Sequence, residues 1–404
     1  IVDRSGAELA VTVSAPSVYA TRAAIADDEE TARAIARALG SDIASVRRRL
    51  ETKSPFIYVK RWIRSEQAEA VRALALPGVG IIPEPRRAYP HRKLAGPVLG
   101  FANIDGEGTR GIEQKEDTWL RGKAQLITVE RDAHGQLLVA SGLDPRSAAG
   151  GDVALTLDAT LQAEIDEALA EVIAVTGARR GTVVSLDPRN GDILALSELP
   201  SFDPNRFRTT PFRATRSRAF LDAMEPGSVL KPFVVAAALQ HGAVSTEDAV
   251  DCEKGFFRIR GKTLRDRKPF GVVDLAGVLR VSSNIGAAKI GFAVGREAHF
   301  DTLRSFGFGS TTGSSFPEES AGLLRNWQKW REVDHATISY GQGIGVTTVQ
   351  VAAAMAALAN GGVWLQPRLV AVRRVAGGSW EATPPSPRRR AVRADVADAV
   401  LRMM

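Results

Sequence analysis

The chain has 404 residues, enough for two or three domains with real cores. It is 44% hydrophobic and 25% charged, as a folded soluble protein is, and its formal charge of +7 is carried mostly by arginine. A single cysteine, Cys252, excludes an internal disulfide framework and any cysteine-based metal cluster. The arginines are scattered among alanines through every segment, so the charge reads as compositional bias more than as an anion-seeking face. No interleaving of aromatic and basic residues suggests a nucleic-acid reader. No apolar run reaches the ~18 residues that a membrane span needs, and no signal peptide opens the chain. The start, Ile1-Val-Asp-Arg-Ser-Gly6, reads as a point within a longer protein whose anchor lies upstream.

Alternating apolar residues (Leu9, Val11, Val13, Val18) predict a strand or hairpin before Tyr19. A helix is expected over Ala23–Leu39, closed by Gly40. Ser41 is placed to cap the next one, with Ile43, Val46 and Leu50 on one face. Phe56–Val59 is strand-like, and Ser65 opens a helix that Pro77-Gly78 ends. Short strands broken by proline and glycine are expected from Val79 to Gly142. The Gly-rich stretch Asp144–Gly151 marks a boundary between residues 1–150 and 151–404. A strand at Val153–Leu157 then precedes a helix striped by Leu161, Ile165, Leu169 and Ile173. Asn190-Gly191 between two apolar runs predicts a hairpin. Further helices are expected over Trp327–Tyr340 and Thr347–Asn360, a solvated loop at Pro384–Arg390, and a last helix from Asp395. Helices alternating with hairpins indicate an antiparallel α+β fold.

The chemistry centres on Glu225-Pro-Gly-Ser-Val-Leu-Lys-Pro232. Ser228 and Lys231 stand three apart where a loop becomes a helix, so their side chains share one face. A serine there lies among free N–H groups able to stabilise a developing anion. Alone, this pattern is more often a capping serine beside a surface lysine. Ser282-Ser-Asn284, also at a loop-to-helix transition, shifts the balance. Ser-x-x-Lys followed by Ser-x-Asn is the opening of the penicillin-binding protein signature, whose third element is Lys-Thr-Gly.

The resemblance extends along the chain. Asp3-Arg4-Ser5-Gly6, Arg86-Arg-Ala-Tyr-Pro90, Val98-Leu-Gly-Phe101, Gly111-Ile-Glu113 and Gly191-Asp-Ile-Leu-Ala195 are similar to segments of class B penicillin-binding proteins. Phe56-Ile-Tyr-Val-Lys60, Leu76-Pro-Gly78, Asn103-Ile-Asp-Gly106 and Ser283-Asn-Ile-Gly286 resemble the division-specific, FtsI-type branch. The resemblance implies an N-terminal mixed pedestal domain (1–150) followed by a transpeptidase domain (151–404), an antiparallel sheet flanked by helices. The only Lys-Thr, Lys262-Thr-Leu264, precedes Ser282 and lacks the glycine, so it is rejected as the third motif. The chain is therefore expected to be C-terminally truncated before Lys-Thr-Gly, and as given to acylate poorly.

Carried onto this sequence, the resemblance makes Ser228 the nucleophile and Lys231 its base. Ser282 relays a proton, and Asn284 holds the substrate backbone or Lys231. The implied substrates are peptidoglycan stem peptides, with β-lactams trapping the same serine. No metal or organic cofactor is required. Divisome proteins, including a SEDS-type glycosyltransferase, are the implied partners, at the periplasmic side of the inner membrane at the septum. A non-catalytic division scaffold and a β-lactam-hydrolysing or β-lactam-sensing relative are the alternatives. Asp334-His335 reads as a surface pair, Glu318-Glu319 as a surface loop, and Gly341-x-Gly-x-Gly345 lacks the lysine of a phosphate loop. The five histidines never fall at metal-ligand spacing.

Overall fold

Apolar alternation near the N-terminus is realised as one long strand, Val11–Thr21, at the centre of a three-stranded antiparallel sheet. We describe it from a computed structural model that covers residues 1–122, 130–131, 137–138, 149–314 and 316–404. His134, most of the Asp144–Gly151 linker and the last part of the Val79–Gly142 stretch lie outside the described residues.

The strands Phe56–Lys60 and Val79–Ala88 flank the central one. The second is a continuous ten-residue strand, not the broken series expected, although it contains Pro83 and Pro85. It forms the sheet edge, where a missing N–H donor costs no ladder bond. Pro16 faces Pro83 where pairing to Phe56–Lys60 has already ended at Val18, and its carbonyl accepts from Ile63 N at 2.8 Å.

Three helices cover this sheet. The first spans Asp28–Leu39 and starts later than its periodicity suggests, because the Asp27 carboxylate caps the N–H groups of Glu29 and Glu30. Gly40 ends it at φ +58°. The second, Ile43–Leu50, is capped by Asp42 and not by Ser41, whose hydroxyl instead accepts from Lys60 Nζ. Together with Ser65–Ala73 they bury Val18, Ala20, Ile35, Leu39, Leu50 and Val71 as the head core.

A second core joins both parts of the chain. Leu9, Tyr89, Val98 and Phe101 pack with Leu155, Ile193, Phe220, Val349 and Leu369, so apolar contact is continuous across the linker. Here the segments Arg86–Pro90, Val98–Phe101 and Gly111–Glu113 converge. Glu113 accepts from Arg87 Nε at 2.7 Å and from the Tyr89 hydroxyl at 3.1 Å, and that hydroxyl accepts from Ala102 N at 2.9 Å. A Cβ at Gly100 would lie 1.8 Å from the Arg110 carbonyl oxygen, so only glycine fits. Asp3 accepts from Ser5 N, Ala7 N and, across the junction, Ala159 N, where the helix Ala159–Thr176 begins. Arg373 bridges both oxygens of Glu116 at 2.8 Å, and Arg110 pairs with Glu318. Glu318 thus ties the halves together, while Glu319 accepts from Thr312, Gly313 and Ser314 within its own loop.

In the second half, Gly181–Leu186 and Ile193–Leu199 pair antiparallel across the Asn190-Gly191 turn, and Asp152–Leu155 pairs with Val370–Arg374. The helix Lys231–Gln240 forms the centre of the largest core and is packed by the helices Asn284–Val294, Arg296–Ser305 and Ala394–Met403. Phe233 meets Phe306 and Phe308 edge-on, with ring centroids at 4.9 and 5.2 Å. The helix expected over Trp327–Tyr340 splits into a turn, Trp327–Lys329, and a helix, Glu332–Ile338. Trp330 is extended between them so that its buried indole donates to the Arg325 carbonyl at 2.8 Å. The expected loop Pro384–Arg390 ends as a strand, Arg388–Arg390, paired to Val363–Leu365 with Arg389 stacked on Trp364.

Asp334-His335 is not a surface pair. His335 is buried, its ring 5.4 Å from that of buried His299, with Trp330 against both. Both His299 nitrogens and His335 Nε2 lack hydrogen-bond partners among the described residues. Burial pulls the His299 pKa down to about 3 and that of His335 to about 4, in each case helped by a neighbouring positive charge. An unfolded histidine titrates near ~6.5, so the unfolded chain binds more protons below that pH. The pair's contribution is complete above pH ~6.5 and is lost as pH falls toward the folded values. We expect the melting temperature to drop on acidification, and His299→Phe to flatten that acid limb. Thermal unfolding across the pH range is the measurement.

Candidate active site

Ser228 lies in a 3₁₀ turn, Gly227–Leu230, that runs into the helix Lys231–Gln240. In 3₁₀ geometry residues three apart nearly eclipse, which sets Lys231 beneath Ser228. Pro232 falls in the first turn of the helix, where no N–H is needed. The turn rests on the glycine run: Gly227 N donates to the Gly341 carbonyl at 3.0 Å, and a Cβ at Gly341 would lie 2.0 Å from Gly227 O. Glu225 accepts from Gly343 N at 2.8 Å. The Gly341–Gly345 segment is therefore a backbone support for the serine turn.

Lys231 is 1% exposed, on a helix whose other buried side chains are all apolar. Its Nζ lies 3.2 Å from Ser228 Oγ, 2.9 Å from Ser282 Oγ and 2.5 Å from the Ser282 carbonyl oxygen. Ser282 Oγ donates to Ser228 Oγ at 2.9 Å, closing a triangle. Three oxygens satisfy the three N–H bonds of the ammonium. Burial nevertheless pulls the Lys231 pKa down to about 8, against the opposing charge of Asp266. A neutral amine with its lone pair directed at the serine hydroxyl is thus accessible near physiological pH.

Ser282 sits at φ +56°, a conformation that L residues rarely adopt. This backbone aims both its carbonyl and its hydroxyl at Lys231. The strain is held from either side: Ser282 N and Ser283 N donate to Leu279 and Val278 carbonyls, and Ser283 then caps the helix Asn284–Val294. Asn284 sits on the first turn of that helix, its amide donating to the Arg265 carbonyl at 3.3 Å. No hydrogen bond joins Asn284 to Lys231 among the described residues, so of its two expected duties only the one toward substrate remains open.

The sequence reading missed Asp266. Its carboxylate accepts from Ser283 Oγ at 2.5 Å, Asn284 N at 2.6 Å and Ile285 N at 3.1 Å, so it fixes the start of the Asn284 helix. Nothing local marks it, since its partners lie on a different element. Lys262-Thr-Leu264 is part of the hairpin that delivers Asp266, a strand Lys262–Arg265 paired with Phe256–Ile259. It supports the site from behind instead of lining it.

Asp266→Asn should cost about 0.5–2 kcal/mol, as lost helix caps do. Because the Asp266 charge raises the Lys231 pKa, its removal should lower that pKa further. The measurements are thermal unfolding and the ¹³C-NMR titration midpoint of dimethylated Lys231. An unchanged or higher midpoint would contradict this electrostatic role.

Comparison with known proteins bears directly on this arrangement. The profile of the penicillin binding protein transpeptidase domain matches residues 181–404, and that of the penicillin-binding protein dimerisation domain matches residues 1–155. The chain is 33% identical over 412 aligned residues to peptidoglycan D,D-transpeptidase FtsI of Escherichia coli (strain K12), covering 100% of this chain and 68% of that one. It is 35% identical over 372 residues to the probable peptidoglycan D,D-transpeptidase PenA of Neisseria meningitidis, covering 90% and 63%. It thus spans about two thirds of the length of these relatives. Among solved structures, penicillin binding protein 3 from Mycobacterium tuberculosis, complexed with aztreonam, superimposes with a TM-score of 0.73 at 26% identity, covering 100% of this chain and 72% of that one. A peptidoglycan synthetase from Bifidobacterium adolescentis gives 0.75 at 25% identity, covering 100% and 79%. With its dimerisation and transpeptidase domains in that order, and its Ser-x-x-Lys and Ser-x-Asn elements brought to one point, the chain belongs to the penicillin-binding protein transpeptidases of the FtsI type.

Proposed function

We propose that this protein crosslinks peptidoglycan as a serine-type D,D-transpeptidase, and that Ser228, Lys231, Ser282 and Asn284 carry the reaction. The observation behind this reading is the position of Lys231 Nζ, buried and within hydrogen-bonding reach of both serine hydroxyls. The names of the relatives supply the reaction class.

In the proposed reaction, neutral Lys231 takes the Ser228 hydroxyl proton as Oγ attacks the carbonyl of the penultimate D-Ala of a stem peptide. The C–N bond to the terminal D-Ala breaks. Its nitrogen takes a proton delivered from Lys231 through the Ser282 hydroxyl, leaving an ester on Ser228. An amine of a second stem then attacks the ester carbonyl, a new amide forms as the C–Oγ bond breaks, and the attacking amine's proton passes through Lys231 to Ser228 Oγ. In this reading the free N–H groups at the start of the Lys231 helix would stabilise the developing oxyanion. Asn284, half-buried on the first turn after Ser283, would hold the substrate backbone. A β-lactam would acylate Ser228 by the same attack, with its ring nitrogen as the leaving group.

Stem peptides lie outside the cytoplasmic membrane, so we assign the protein to the extracytoplasmic face. No helix among the described residues is long and apolar enough to cross a membrane. The FtsI-type likeness supports work at the division septum with divisome partners, a SEDS-type glycosyltransferase among them.

Ser228→Ala should abolish labelling by a fluorescent penicillin, and Lys231→Ala should slow it by about 10²–10⁴-fold, the usual range for a lost general base. The Lys231 pKa of about 8 makes the wild-type acylation rate rise through that pH as the amine loses its proton. A rate flat across that range would count against Lys231 as the base. Retained labelling in Ser228→Ala would overturn the serine assignment, and sustained nitrocefin hydrolysis would indicate a β-lactamase.

A further inference from the structure

The head presents a basic cleft that takes no part in the chemistry above. It has a volume of about 530 Å³ and lies between the helix Ile43–Leu50, the strand Phe56–Lys60, and the residues Ile104 and Arg208. Arg49, Lys60, Arg61 and Arg208 line it, beside Tyr58. Its two nearby carboxylates are already engaged, since Arg61 bonds both Glu84 and Asp105. The side chains of Arg49 and Arg208 have no hydrogen bond or ion pair among the described residues, and Lys60 bonds only the Ser41 hydroxyl.

Positive charge also converges around Trp62, immediately after the strand. The guanidinium carbons of Arg208, Arg86 and Arg61 lie 5.0, 5.8 and 6.0 Å from its ring centroid, and that of Arg61 lies 4.7 Å from the ring of Tyr58. Trp62 adopts φ +56°, held by its N–H on the Ser17 hydroxyl, and its indole nitrogen is buried without a partner among the described residues. Partial burial, and then the like charges of Arg61 and Arg86, pull the Arg208 pKa down. Strained backbone and the crowding of like charges are each unfavourable, and an anion in the cleft would relieve the second, above all for Arg208, which has no ion pair among the described residues.

We propose that this cleft is a docking site for an acidic peptide segment of a partner protein. The cations come from different walls, Arg49 from the helix, Lys60 and Arg61 from the strand end and Arg208 from the second half of the chain, so they suit carboxylates spaced along a chain more than a single compact anion. Apolar surface from Val46, Val59 and Ile104 lies among them and would take the aliphatic stems of glutamates. Because the cleft joins the head to Arg208 in the catalytic half, an occupant would touch both.

The test is fluorescence anisotropy of a fluorescein-labelled hexaglutamate peptide with the full chain. We expect salt-sensitive binding that weakens about tenfold or more in Arg49→Glu/Arg208→Glu and is retained in Arg402→Glu, a charge reversal on the distant C-terminal helix. Fluorescent-penicillin labelling should match that of the unmodified chain throughout. Should the double variant misfold, Arg208→Ala, which removes no hydrogen bond, carries the test with a smaller loss. No binding, equal weakening by Arg402→Glu, or full displacement of the peptide by equimolar inorganic pyrophosphate would each overturn the proposal, the last in favour of a compact phosphate site.

Discussion

The candidate site depends on one buried amine. A lysine carried into an apolar helix core loses its hydration, and the protein replaces that hydration with three oxygens from Ser228 and Ser282. The replacement is partial, so the ammonium remains less stable than in water and its pKa falls to about 8. Stronger desolvation would leave the amine neutral throughout the physiological range. Greater solvation would keep it charged and unable to accept a proton.

Most of the surrounding structure serves to hold those three oxygens. Ser282 contributes two of them only because its backbone is forced to positive φ. That strain persists because Ser283 caps the next helix and Asp266 fastens the same helix start. On the other side, Gly227 is pressed against Gly341, and Glu225 reaches Gly343. Two helix starts and two glycine contacts from separate parts of the chain therefore converge on a single nitrogen. In a closely packed interior such supports shift together, so damage to a distant one reaches the Lys231 amine and its serine partners.

The head is joined to this half through a shared core and through ion pairs that cross the junction. Glu116 meets Arg373 and Glu318 meets Arg110 across it. Ion pairs shielded from water keep more of their attraction than exposed ones, provided their partners stay in place.

Local patterns were legible in the sequence wherever the cause was local. The strand Phe56–Lys60, the helix Thr348–Ala359 with its Thr347 cap, the Asn190-Gly191 turn and the closing helix all follow from propensity and capping within a few residues. Family resemblance, carried by spaced motifs, marked Ser228, Lys231, Ser282 and Asn284. Misreadings arose where a partner distant in sequence decides the outcome. Trp330 breaks a periodic helix because its indole is needed in the core, and the edge position of Val79–Ala88 lets two prolines stand in a strand. His335 looked exposed beside an aspartate until His299 and Trp330 were packed against it.

By itself, then, the sequence determined the α+β class, the family and the four candidate chemical residues. Tertiary structure decided the protonation of Lys231, the strain at Ser282 and the role of Asp266. The physical reason is that desolvation and charge–charge interaction depend on what lies within a few ångströms in space. No spacing along a chain encodes that.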